Sequence, residues 1–207
     1  MAIVVVGGHS RNIGKTSVVA GIIRALPEMR WTAFKVTQFG HGLCSANGEP
    51  CDCETAEHTV AITEERDAYS GTDSSRYLAA GAIRSFWVRT RVGDLVEAMP
   101  RIRKEIERAE NVIFESNSIL RFLRPDLYLS VLAPTVTDFK DSARLYLDRA
   151  DAVLALEGVL NEPEWKGISL RLLQGTPVLP MSLPEYMSDE IVQFLRRRLS
   201  IVTTKKN

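Results

Sequence analysis

The chain predicts a three-layer α/β fold, a mainly parallel sheet with helices on both faces. Three observations lead there. Unbroken apolar runs of strand length recur at residues 3–6, 32–36, 112–114, 127–132, 152–156 and 177–179, and runs that are continuous rather than alternating mark strands covered on both faces. Helical apolar spacing fills the gaps between them, and such alternation favours parallel pairing through crossover helices. Finally, 207 residues with 45% hydrophobic and 25% charged content suffice for a packed core, so residues 1–207 read as one domain.

Each element has its own signal. Residues 3–6 read as a buried strand rather than a signal peptide, for want of a basic segment before them and because Gly7 ends the apolar run too early. Val18, Val19, Ile22, Ile23 and Leu26 share one face of a helix over 15–26, closed by Pro27. After the second strand, residues 40–69 break the alternation. They are polar, they hold Cys44, Cys51, Cys53, His41 and His58, and a loop of that length is usually functional. A short helix over 74–80 and an edge strand near 83–89 follow. Leu95, Val96, Met99, Ile102 and Ile106 predict a helix over 94–109, with Pro100 a candidate kink or break. Helices over 138–149 and 185–199 complete the set. Trp31, Trp87 and Trp165 are expected in the core or an interface.

Composition excludes several classes. Lys plus Arg equals Asp plus Glu, 26 each, so charge offers no support for a nucleic-acid or membrane partner. No apolar stretch approaches the ~20 residues that span a bilayer. Three clustered cysteines argue against a disulfide framework and predict a cytoplasmic protein.

The segment "GGHSRNIGKTS", residues 7–17, carries the chemistry. A phosphate-gripping loop is usually spaced G-x4-G-K-[ST]. Here Gly14, Lys15 and Thr16 match, His9 stands where the first glycine belongs, and Gly8 gives G-x5-G-K-T. The physics survives the extra residue, because a strand still feeds a turn whose free N–H groups and helix N-terminus face an anion. Gly8, Arg11, Asn12, Ile13, Gly14, Lys15, Thr16 and Ser17 would hold a nucleoside triphosphate, ATP or GTP. Lys15 would reach the terminal phosphates and the Thr16 hydroxyl would ligate Mg2+. Arg11 and Asn12 are candidates to stabilise transferring charge. Glu115 ends the third apolar run, at the rim where ligands gather in parallel sheets.

The G-x5-G-K-T loop, Lys35 in "FKVTQFG" and Glu115 in "VIFESNS" resemble dethiobiotin synthetase and its relatives, a branch of phosphate-loop NTPases. That resemblance implies Mg2+ on Thr16 and Glu115, a second acid such as Asp52 or Glu54 in the loop after strand two, and catalysis by Lys15 and Lys35. It implies phosphoryl transfer to a carboxylate or carbamate acceptor. A second resemblance starts from "GTDSSRYLAAGA", residues 71–82. Asp73, Ser74, Arg76, Ala80, Gly81 and Ala82 match a segment of the molybdopterin-guanine dinucleotide biosynthesis protein B family, with Thr72 in place of a lysine. This implies an accessory NTPase in molybdenum cofactor assembly, acting through a partner. Both resemblances make a homodimer plausible. The guanine-reading N-K-x-D motif is absent, leaving Glu157 and Asn161 as candidate base readers. The signature lysine of the partitioning ATPases, expected near Ser10, is also missing.

"HGLCSANGEPCDC" spaces His41, Cys44, Cys51 and Cys53 as H-x2-C-x6-C-x-C. Four such ligands could build a tetrahedral Zn2+ site that orders the loop, which would suit a nucleotide-linked metal chaperone. Three reduced thiols in a loop are the alternative.

Overall fold

The computed structural model describes residues 1–39, 60–156 and 165–205, with side chains described as far as Ser200. His41, Cys44, Cys51, Asp52, Cys53, Glu54, Glu157 and Asn161 lie outside them.

Eight strands form one sheet: β1 (Ile3–Gly8), β2 (Trp31–Phe39), β3 (Val60–Glu65), β4 (Arg84–Arg91), β5 (Asn111–Glu115), β6 (Leu127–Leu132), β7 (Ala152–Leu156) and β8 (Val178–Met181). Their order is β3-β4-β2-β5-β1-β6-β7-β8. All neighbours pair in parallel except β3, which runs antiparallel to β4. The helices are α1 (Lys15–Ala25), α2 (Asp73–Ala79), α3 (Leu95–Glu107), α4 (Asp141–Arg144) and α5 (Asp189–Lys205). Val4, Val5 and Val6 are fully buried in the central strand. Burying such side chains contributes about 1.5–3 kcal/mol each.

One core lies under α1, α2 and α5, joining Val18, Ile22, Tyr77 and Leu195 to Val4 and Val6. The opposite core lies under α3 and holds Phe34, Phe86, Phe114 and Val5, with Leu95, Ile102 and Ile106 from the helix. The alternation of Val4, Val5 and Val6 between these cores is the period-2 geometry of a strand covered on both sides. The three-layer α/β arrangement is therefore the one the sequence predicts. Trp31 and Trp165 are buried, whereas Trp87 is half-buried with the Arg89 guanidinium 4.5 Å from its ring centre.

Several expectations are corrected. Lys35, read from sequence as the end of the second strand, lies within β2, which continues to Phe39. Residues 40–69 are not wholly loop: β3 occupies Val60–Glu65 and takes the sheet edge, so the strand predicted at 83–89 is internal. Its polar face hid it, since Glu64 pairs with Arg84 at 2.7 Å, and Arg84 with Glu105 on α3 at 2.7 Å. α3 is not broken at Pro100, which lies inside it. The helix predicted at 138–149 is reduced to α4 and a 3-10 turn at Leu147–Arg149, because residues 138–140 bond to His9 instead. The last helix starts at Asp189 rather than 185, since Tyr186 and Met187 lie on Gly14 and Gly21. Among the described residues no helix is long and apolar enough to cross a membrane.

Candidate functional site

The loop from Gly8 to Gly14 leaves the carboxyl end of β1, between β5 and β6, and enters α1 at Lys15. Its path needs small residues. A Cβ at Gly7 would lie 2.1 Å from Asn117 Oδ1, and one at Gly8 would lie 2.9 Å from the Val131 carbonyl oxygen. Gly14 has φ +87, and its Cβ would fall 2.2 Å from the Tyr186 ring, so it needs glycine for both conformation and space. Asn117 fixes the bend by reading Gly8 twice. The Gly8 N–H donates to Asn117 Oδ1 at 2.9 Å, and Asn117 Nδ2 donates to the Gly8 carbonyl at 2.9 Å.

His9 explains the missing glycine. Its ring is fully buried and accepts from the Ala133 N–H at Nε2, 3.0 Å, while Nδ1 donates to the Asp138 carbonyl at 2.7 Å. That pattern defines a neutral imidazole with the proton on Nδ1. Burial lowers its pKa, partly offset by the bond to Asp138. Phe139 and Trp165 pack on the ring with centroids 5.1 and 5.0 Å away. The backbone joins in, as the Lys140 N–H donates to the His9 carbonyl at 2.8 Å and Ser10 Oγ to Asp138 Oδ2 at 2.7 Å. A side chain that pins the 133–140 segment thus occupies the inserted position.

On the other flank the charged groups converge. Thr16 Oγ1 donates to Glu115 Oε2 at 2.8 Å. Lys35 bonds Glu115 Oε1, reaches Thr16 Oγ1 at 3.3 Å and pairs with Asp73 Oδ2 at 2.8 Å. Tyr77 lies one helical turn beyond Asp73, and its hydroxyl donates to Glu115 Oε2. Arg76 Nη2 donates to Ser17 Oγ at 3.0 Å. Lys15 curls over the loop to the Ser10 carbonyl. Arg11 and Asn12 are exposed at the loop tip.

Electrostatics follow from this packing. Burial, only partly offset by Glu115, brings Lys15 down to about 8, with Lys140 and Lys35 adding to the effect. Burial also opposes the Lys35 charge, but Glu115 and then Asp73 outweigh it and hold the ammonium above its ordinary range. Burial and then Glu115 push Tyr77 well up, keeping it a donor. Burial and then Arg11 lower Lys140.

Of the residues predicted from sequence, Lys15, Thr16, Lys35 and Glu115 are brought together at one rim. Asp73, Tyr77, Asn117 and His9 were not assigned site roles from sequence. Tyr77 was findable, since it lies four residues after Asp73 on the same helical face. Among the described residues no group of three His, Cys, Asp or Glu is gathered for a metal.

No family model and no curated protein matches the chain. Similar solved structures include HypB from Helicobacter pylori in complex with nickel, at 13% identity and TM-score 0.49, covering 98% of this chain and 87% of that one. LpxK from Aquifex aeolicus in complex with ATP shows 18% identity and TM-score 0.45, covering 87% of this chain and 54% of that one. The MinC:MinD cell division complex of Aquifex aeolicus shows 14% identity and TM-score 0.40, covering 100% and 90%. At these scores the likenesses carry no argument about chemistry.

Proposed function

We propose that the loop Gly8–Ser17 binds the phosphates of ATP or GTP as the Mg2+ complex. One observation carries the reading. The Thr16 hydroxyl, the Glu115 carboxylate and the Lys35 ammonium meet at the N-terminus of α1, beside the bend closed by Asn117. The donor set fits the cation, since a hydroxyl and a carboxylate are the hard oxygen ligands Mg2+ takes. Bound there, Mg2+ would neutralise phosphate charge. The chain's own contribution is positional. Backbone N–H groups of the loop face the anion, Lys15 supplies mobile charge, and Tyr77 and Lys35 hold the Glu115 oxygens in place. Replacing Lys15 by Ala removes a charge-assisted contact worth about 1.5–3 kcal/mol, so triphosphate affinity should fall roughly 10- to 100-fold. Calorimetric titration with ATP and GTP, with and without Mg2+, measures this; unchanged affinity overturns the assignment.

The finer reading is an accessory NTPase of the kind implied by the 71–82 segment, related to molybdenum cofactor assembly. Its support is that Asp73 and Arg76, both within that segment, touch Lys35 and Ser17 at the cradle. Helix α2 would then report nucleotide state to a partner. A second reading, phosphoryl transfer to a carboxylate or carbamate, is favoured by Lys35 standing 3.3 Å from Thr16, where it would neutralise a transferring phosphoryl group. Phosphate release that depends on an added small acid selects the second reading; slow, acceptor-independent release selects the first.

A further inference from the structure

An open cavity lies away from the cradle, where the chain descends from β5 to the start of β6. Its volume is about 770 Å3, within the range of small-molecule sites. Leu120, Phe122, Leu123 and the Tyr128 ring give it an apolar wall, and Arg121, Arg124 and Arg149 stand around it. Among the described residues none of these three arginines has a carboxylate partner. Two lie within cation–π range of aromatic rings: Arg121 is 5.9 Å from the Phe122 centroid and Arg149 5.0 Å from that of Tyr146. Such a contact leaves the guanidinium N–H fork for an anion.

The two acids in the lining only partly offset that charge, since Asp151 is paired elsewhere and Asp126 stands against three guanidiniums. Asp126 Oδ2 accepts the Ile3 N–H at 2.8 Å, and Asp151 Oδ2 accepts the Tyr128 N–H at 2.8 Å. Asp151 is already paired with Arg198 at 2.6 Å. Both carboxylates are thus tied to strand starts, and one is neutralised.

We propose that this cavity binds a small amphiphilic anion, an apolar body carrying one carboxylate or phosphate group. The body lies against Leu120, Phe122 and Leu123, and the head group takes the forks of Arg121 and Arg149. This is independent of nucleotide binding in the cradle.

The probe is 8-anilinonaphthalene-1-sulfonate, an aromatic body with an anionic head, titrated by fluorescence against the full chain. One saturable site is expected, at least tenfold weaker in Arg121→Ala/Arg149→Ala, closed in Leu123→Trp, and unchanged in Lys15→Ala. Both arginines are exposed, so the double variant should keep its melting temperature and remains the decisive one if Leu123→Trp fails to fold. Displacement by 1-naphthoate supports the proposal with a carboxylate head, and displacement by 1-naphthyl phosphate supports it with a phosphate head. Displacement by neither, no saturable site, affinity within twofold in the double variant, or loss in Lys15→Ala overturns it.

Discussion

The two walls of the cradle differ in kind. On the β6 side, His9, Phe139 and Trp165 form a neutral, aromatic wall in which every polar atom of the imidazole is used. On the β5 side, Thr16, Lys35, Asp73, Tyr77 and Glu115 form a charged wall whose bonds run between groups that a Mg2+-triphosphate would also seek. The aromatic wall gains nothing by opening. The charged wall can exchange its internal partners for a ligand with little net loss. We expect rigidity on the aromatic side of this short loop and responsiveness on the charged side. The inserted residue belongs to the rigid side.

The largest expected effect tests the aromatic wall. His9→Ala leaves the buried Ala133 N–H and Asp138 carbonyl unpaired and opens a void beside Phe139, which should cost about 3–5 kcal/mol. Urea unfolding measures it, and a loss below about 1 kcal/mol would mean the wall is not the rigid one. Next, Glu115→Gln removes the acid from the charged wall while Lys35 keeps Asp73. About 1–3 kcal/mol of stability should go, together with the gain in triphosphate affinity on adding Mg2+. If that gain survives, Glu115 does not face the metal. Tyr77→Phe deletes one buried donor and should cost about 1 kcal/mol, with Mg2+-free affinity unchanged.

The smallest effect is a proton. Lys15 titrates near 8 in the folded chain, below the usual lysine range of about 10.4. Above pH 8 the ligand-free cradle therefore loses a charge that bound phosphates would restore. Apparent affinity should then fall by up to roughly tenfold per pH unit, and binding at pH 8 should take up about half a proton. Calorimetry in buffers of different ionisation enthalpy reads this directly. Zero uptake would place Lys15 already fully charged before the ligand arrives.

What the sequence made legible was whatever one strand or helix determines alone. The central strands and α1 were readable because both faces of each strand are apolar and because Gly14-Lys15-Thr16 opens a helix. Glu115 was readable because it ends a parallel strand, β5, whereas Lys35, expected at a strand end, lies in the middle of β2. Residues 138–140 were misread as helix because their partner is His9, far away in the chain, and local spacing carries no trace of it. β3 was missed because its charges are satisfied across the sheet by Arg84. Asn117 was missed because its bonds to Gly8 are to backbone, which no residue pattern announces. The residues that shape the cradle without touching its ligand were thus the least visible.

The place of β1 in the sheet has a consequence for synthesis. β1 is an inner strand, and the partners of Val4 are Ile113 and Leu127, far later in the chain. The chain must be made as far as β5, which begins at Asn111, before either edge of β1 is paired. Until then an Ile-Val-Val-Val segment with two open edges is available to wrong partners, the condition under which nascent chains aggregate or lean on chaperones.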